Sequence, residues 1–171
     1  MKKILLISDS HGLQQEILDI KKRHQVDRII HCGDSELDFD ANELTGMDKV
    51  AGNCDTDARF PNETVITIGE LTFFVTHGHL YNVKSNLLPL SYRAEELKAN
   101  VICFGHTHIA GAEKMDKLLF INPGSIRMPR NRIEKTYAIL EWETTKNIRV
   151  RFYTVDGELV SKMSYETTLE D

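Results

Sequence analysis

Five short stretches place metal-binding side chains beside glycine: Asp9-Ser10-His11-Gly12, Gly33-Asp34, Gly52-Asn53-Cys54-Asp55, Thr76-His77-Gly78-His79 and Gly105-His106-Thr107-His108. Carboxylates and imidazoles gathered in one place are costly to bury unless they are paired or coordinate a cation. Residues at i and i+2 of an extended segment project to the same side. Asp9 with His11, and His106 with His108, can therefore each aim two ligands at one crevice. The neighbouring glycines allow tight turns and close approach of backbone to a bound group. Any one of these stretches is an ordinary turn; it is their recurrence that points to a divalent-metal centre.

The elements that must position them have a shared form, since each stretch follows an apolar run. Ile4–Ile7 leads to Asp9, Arg28–His31 to Asp34, Lys49–Ala51 to Asn53, Leu71–Thr76 to His77, and Val101–Phe104 to His106. In an open α/β sheet, ligands bind in the crevice beyond the carboxyl ends of the strands. Between the first two runs, Leu13, Ile17, Leu18 and Ile20 form a helical stripe, with Lys21, Lys22 and Arg23 near the end where the helix dipole favours cations. Strand, helix, strand is the grammar of parallel pairing with right-handed crossovers. After Pro61 the grammar changes. Gly69-Glu70 separates two strand-like runs, a hairpin signal, and Tyr92–Ala99 reads as a helix. Further hairpins are indicated at Asp116-Lys117, Thr145-Lys146-Asn147 and Asp156-Gly157, with alternation over Asn147–Thr154, so the later chain is mostly antiparallel.

The bulk properties fit one domain over 1–171. A hydrophobic content of 41% with 27% charged residues is that of an ordinary globular chain. A net charge of -5 argues against gripping long nucleic acid by bulk electrostatics. The apolar start stops at Ser8-Asp9, too short for a secretory h-region, and no run approaches the roughly 20 apolar residues of a membrane helix. Three cysteines, an odd number without framework spacing, fit a reducing compartment. The expectation is a cytoplasmic protein without membrane association; a homo-oligomer is allowed.

The series Asp9-x-His11, Gly33-Asp34, Gly52-Asn53, His77-Gly78-His79 and Gly105-His106-Thr107-His108 resembles the calcineurin-like metallophosphoesterase signature. Asn122-Pro123-Gly124-Ser125, followed by Pro129-Arg130, narrows the resemblance to the small single-domain phosphodiesterases of bacteria and archaea, whose fold is shared by a eukaryotic retromer subunit. It implies an α/β fold in the form of a four-layer αββα sandwich. Carried over motif by motif, it implies that Asp9, His11, Asp34 and His108 hold one metal ion and that Asp34, Asn53, His77 and His106 hold a second, Asp34 bridging. Imidazole and carboxylate without thiolate suit Mn²⁺, Zn²⁺, Ni²⁺, Fe²⁺ or Mg²⁺ rather than Ca²⁺, and Mn²⁺ is the expected activating ion. Two such ions clamp both the attacking and departing oxygens of an in-line displacement, with a metal-bridging hydroxide as nucleophile.

The implied activity is hydrolysis of a phosphodiester substrate, with Asp34, Asn53 and His79 nearest the chemistry. His79 either reaches a substrate phosphate or stands behind the ligands. His31 reads as a satisfied core histidine, His24 as a solvated one, and Cys32 and Cys103 as small buried side chains. Arg127 and Arg130 either offer a fork to phosphate or pair at the surface, and Asn122 and Ser125 shape a loop near the metals. Many members of the wider superfamily carry a general-acid histidine where this chain has Cys54. A thiol of pKa about 8.5 is a poor substitute, which disfavours a phosphomonoesterase. The alternative of a scaffold protein is disfavoured because Asp34 and Asn53, altered in the retromer branch, are intact.

Overall fold

A computed structural model describes residues 1–170. In chain order the elements are β1 (Lys2–Ile7), α1 (Gln15–Arg23), β2 (Arg28–His31), β3 (Met47–Lys49), β4 (Glu63–Ile68), β5 (Leu71–Thr76), α2 (Leu88–Glu96), β6 (Val101–Cys103), β7 (Gly111–Met115), β8 (Leu118–Asn122), β9 (Thr136–Trp142), β10 (Ile148–Thr154) and β11 (Tyr165–Thr167). They form two sheets, ordered β11-β10-β9-β1-β2-β3 and β4-β5-β6-β8-β7.

Period-two projection explains the layering. From β1, Ile4 and Leu6 enter a core shared with Phe73 and Val75 of β5 and Ala138 and Leu140 of β9, so the two sheets face each other across this layer. Leu5 and Ile7 turn the other way and pack on Ile17 and Ile20 of α1. Phe74 of β5 likewise faces Leu90 and Ala94 of α2. The resulting order is helix, sheet, sheet, helix, the expected four-layer sandwich. Strands covered on both faces must be apolar on both faces, which is why these runs read as continuous rather than alternating.

Sheet pairing puts the strand ends together. β1, β2 and β3 are parallel, as are β5 with β6 and β6 with β8. The later chain is antiparallel at β4–β5, β7–β8, β1–β9, β9–β10 and β10–β11. The hairpins at Asp116-Lys117 and Thr145–Asn147 form as expected. Gly157 turns the chain back to a single bridge, Tyr153 to Leu159.

Two elements are shifted. The third strand occupies Met47–Lys49 rather than Lys49–Ala51, because pairing with β2 starts at Met47 opposite Ile29 and the chain then leaves toward Asp34. The second helix starts at Leu88, four residues before Tyr92, because Pro89 is suited to a first turn; it ends at Glu96, and Lys98 closes it at φ 54°. The buried central strand β9 carries no turn or alternation signal in the sequence. Among the described residues, no helix is long and apolar enough to cross a membrane.

Candidate metal centre

The carboxyl ends of β1, β2, β5 and β6 and the loop after β3 deliver the five stretches to one place. Asp9 N–H donates to Gly33 O (3.0 Å), His11 N–H to Asp34 O (2.9 Å) and Gly105 N–H to His77 O (3.0 Å), so neighbouring loops are laced to each other by backbone. The geometry within each stretch differs from the extended one expected. Asp9 (φ 52°), His11 (φ 42°), Asp34 (φ 57°), His106 (φ 68°) and His108 (φ 59°) all adopt left-handed backbone. They converge through tight turns instead. Non-glycine residues persist in this region where their surroundings over-determine it, and such residues cluster at functional sites.

The side chains meet as the donor set of a metal would. The Asp9 Oδ1 atom lies 3.1 Å from His108 Nε2, 3.7 Å from His11 Nε2 and 3.7 Å from His77 Nε2. Asp34 Oδ2 lies 3.1 Å from His77 Nε2 and 3.9 Å from His11 Nε2, and the His11 and His108 Nε2 atoms are 3.3 Å apart. Ligand atoms bound to one ion at about 2.0–2.2 Å stand roughly 3.0–3.5 Å from each other. Asp9 and His77 are fully buried, yet among the described residues Asp9 Oδ1 and His77 Nε2 have no hydrogen-bond partner. Orphaned buried polar atoms facing one another are what a cation would satisfy. Asp9, His11 and His108 form one compact group and Asp9, Asp34 and His77 a second, so the residues fit divalent metal.

The remaining expected ligands stand further out. The His106 ring is half-buried with its centroid 5.1 Å from that of His77, and its backbone N–H donates to Asp9 Oδ2 (3.1 Å). Asn53 is exposed and its amide donates to Cys54 Sγ (3.5 Å). His79 packs against His77 at 5.4 Å between centroids, with a buried Nδ1 that lacks a partner among the described residues.

Two glycines are required by contact. A Cβ on Gly52 would stand 2.0 Å from Asp34 Oδ1, and one on Gly105 would stand 2.4 Å from Asp9 Oδ2. Asp55, whose role the sequence does not disclose, binds three backbone N–H groups: those of Asp34 (2.8 Å), Gly52 (2.7 Å) and Glu36 (2.8 Å). Ser125 Oγ donates to Asp9 O (2.7 Å), and Asn122 Nδ2 donates to Gly105 O (3.2 Å), so the Asn122–Ser125 loop buttresses the ligands from behind. Arg127 is tied to His11 O. His31 is the satisfied core histidine expected: its Nδ1 accepts from Gly33 N–H (3.1 Å) and its Nε2 bonds Ser10 Oγ (2.8 Å). His24 is not solvated as expected. Its Nε2 bonds the buried Tyr137 hydroxyl (2.7 Å), and its ring packs against both Tyr137 and Tyr153, which stack on each other.

Charge in the centre is set by these contacts. The neighbouring Asp9 carboxylate raises His11 to about 9 despite burial. For Asp9, burial favours the neutral acid, but His108, His11 and His77 outweigh it and hold the carboxylate ionised. Burial would lower His77, yet the Asp34 and Asp9 carboxylates leave it raised. Burial and the charge of His77 push His106 down to about 4, leaving a neutral imidazole able to coordinate. Burial raises the Cys54 thiol to about 11, with Asp34 adding to it.

Comparison with known proteins agrees with this chemistry. Residues 1–145 match the family model described as the calcineurin-like phosphoesterase superfamily domain. A probable metallophosphoesterase of Bacillus subtilis, YsnB, is 49% identical over 168 residues, covering 97% of this chain and 99% of its own. A crystal structure from Streptococcus pneumoniae, titled a "predicted phosphoesterase", superposes with a TM-score of 0.93 at 36% identity, covering 98% of this chain and 97% of that one. The Escherichia coli K12 phosphodiesterase YfcE is 30% identical over 100 residues, 54% of this chain and 50% of its own. The chain belongs to the calcineurin-like phosphoesterase superfamily.

Proposed function

We propose that the chain is a single-domain metal-dependent phosphodiesterase over residues 1–171, acting in the cytoplasm on a phosphodiester substrate. The observation that carries the reading is the convergence of the orphaned Asp9 Oδ1 and His77 Nε2 with Asp34, His11 and His108. Asp9, His11, Asp34 and His108 would hold one divalent ion and Asp34, Asn53, His77 and His106 the other, Asp34 being common to both. Bound there, divalent cations supply Lewis acidity to phosphoryl oxygens and lower the pKa of water, and Mn²⁺ suits the donor set.

The chain's own residues supply charge, orientation and proton control. Asp9 and Asp34 provide the negative charge that offsets the cations, held in place by Ser8 (2.6 Å) and the Cys54 backbone N–H (2.8 Å). His79, half-buried beside His77 and His106, is suited to orient a phosphoryl oxygen. Cys54, exposed beside Asn53, keeps its proton at neutral pH and is too weak an acid to release a poor leaving group. Esters with stable leaving groups are therefore favoured over those with poor ones. The choice of a diester over a monoester is supported by the relative YfcE, a phosphodiesterase.

The test is hydrolysis of bis(4-nitrophenyl) phosphate against 4-nitrophenyl phosphate. Turnover of the diester should exceed that of the monoester, vanish on chelation and return with Mn²⁺. Asp34→Ala should lose bound metal by elemental analysis. Activity that survives exhaustive chelation would overturn the proposal.

A further inference from the structure

Three imidazoles in the centre are held on one plan. His77 donates Nδ1–H to Cys32 O (2.8 Å) and His108 donates Nδ1–H to Met128 O (2.7 Å), each turning Nε2 toward the buried carboxylates. His11 turns Nε2 to the same place, but its Nδ1 meets a side chain, Glu36 Oε1, at 2.5 Å. Glu36 comes from the loop after β2, twenty-five residues along the chain from His11. It adopts left-handed backbone (φ 53°), and its N–H is fixed by Asp55 Oδ1 (2.8 Å). Its carboxylate is otherwise substantially exposed, at 43% of the side-chain surface. A strained backbone held in place to present an exposed carboxylate to one ring nitrogen calls for an explanation other than packing.

The Glu36, His11 and Cys54 donor atoms also lie together. Two atoms sharing one ion at about 2.0–2.2 Å would be roughly 3.0–3.5 Å apart, whereas 2.5 Å is the distance of a shared proton. Glu36 and His11 are thus a hydrogen-bonded pair, not joint ligands.

We propose that Glu36 is a positioning residue for the metal centre: it accepts the Nδ1–H of His11 and so fixes the tautomer and ring orientation that present Nε2 beside Asp9, Asp34 and His108. A carboxylate in this place also makes the imidazole a stronger donor than a backbone carbonyl does, and the loss of such partners costs about 10–100-fold in metal affinity. Because its side chain is exposed, its removal should leave no cavity. The inference rests on His11 being a ligand, as proposed above.

The experiment compares the metal-free wild type, Glu36→Gln, Glu36→Ala, Glu36→Asp and His11→Ala. Mn²⁺ affinity is measured by calorimetric titration. The His11 Nδ1–H resonance of the Zn²⁺-loaded protein is followed by NMR. Glu36→Ala should weaken Mn²⁺ binding about 10–100-fold and abolish the protected Nδ1–H signal, with thermal unfolding of the metal-free protein little changed. Glu36→Gln, which keeps the shape and loses the charge, should also weaken binding, and Glu36→Asp should restore part of it. If His11→Ala loses affinity while both Glu36→Ala and Glu36→Gln bind within twofold of wild type, the positioning role is wrong and the site stands. If His11→Ala itself leaves affinity unchanged, the ligand assignment fails and takes this inference with it.

Discussion

Metal binding to this centre should compete with protons, and the competition can be sized from His11. In the metal-free protein the neighbouring Asp9 carboxylate raises it from an ordinary value near 6.5 to about 9. A raised folded-state value means that the charged imidazolium stabilises the metal-free fold below about 6.5, and that this contribution is lost as pH rises through about 9. Coordination needs the neutral ring. At pH 7, two units below about 9, roughly 1% of His11 is deprotonated, so affinity should be about 100-fold below its alkaline limit. Each unit of pH between about 6.5 and 8.5 should strengthen binding about tenfold for one displaced proton. His77, also raised by the two carboxylates, can add to the slope. The assay is calorimetric titration of metal-free protein with Mn²⁺ at several pH values, repeated in buffers of different ionisation enthalpy to count released protons. His11→Gln should bind more weakly and with a shallower slope, since one titrating ligand is gone. A flat affinity over this range, with no proton released, would refute the reasoning that the carboxylates hold His11 protonated.

Further outcomes follow from contacts that can be removed singly. Gly52→Ala should lower Mn²⁺ affinity by about tenfold or more without unfolding the protein, because its Cβ would stand 2.0 Å from Asp34 Oδ1; unchanged binding in the same titration would show that the loop relaxes freely. His24→Ala should cost about 1–2 kcal/mol in urea unfolding, because it strips the buried Tyr137 hydroxyl of a partner, while metal affinity stays as in wild type. Cys54→His should raise turnover of esters with poor leaving groups by up to about 10²-fold and leave nitrophenyl esters little changed; equal effects on both would show that position 54 does not face the leaving oxygen.

The strands that carry ligands were legible because they are buried on both faces. Ile4–Ile7 and Phe73–Val75 must be continuously apolar to meet a helix on one side and a sheet on the other. The same burial hid β9, whose run Thr136–Trp142 includes polar Thr136 and Glu141 beside Tyr137 and Trp142, yet is buried throughout. The ligand stretches were legible by composition, but not by conformation. An i, i+2 argument takes the backbone as extended, whereas Asp9, His11, His106 and His108 turn left-handed. Convergence survived the error because the backbone lacing of Asp9 to Gly33 and His11 to Asp34 sets direction, not strand periodicity.

What could not be read locally is whatever depends on a distant partner. His24 looks solvated beside Lys21, Lys22 and Arg23 until Tyr137, 113 residues away, places a buried hydroxyl on its ring. Glu36 and Asp55 resemble ordinary loop acids, because their roles are hydrogen bonds across the chain rather than membership of a motif. The two kinds of residue answer to different physics. A ligand is constrained by its element and charge, so its type and its glycine neighbours mark it in one sequence. A residue that orients a ligand is constrained by one atom of another side chain, and many polar residues could occupy its place. That difference makes Glu36 the more discriminating position to perturb: a metal ligand's loss is expected from any member of the superfamily, whereas weakened binding after Glu36→Gln would report the particular hydrogen bond by which this chain holds His11.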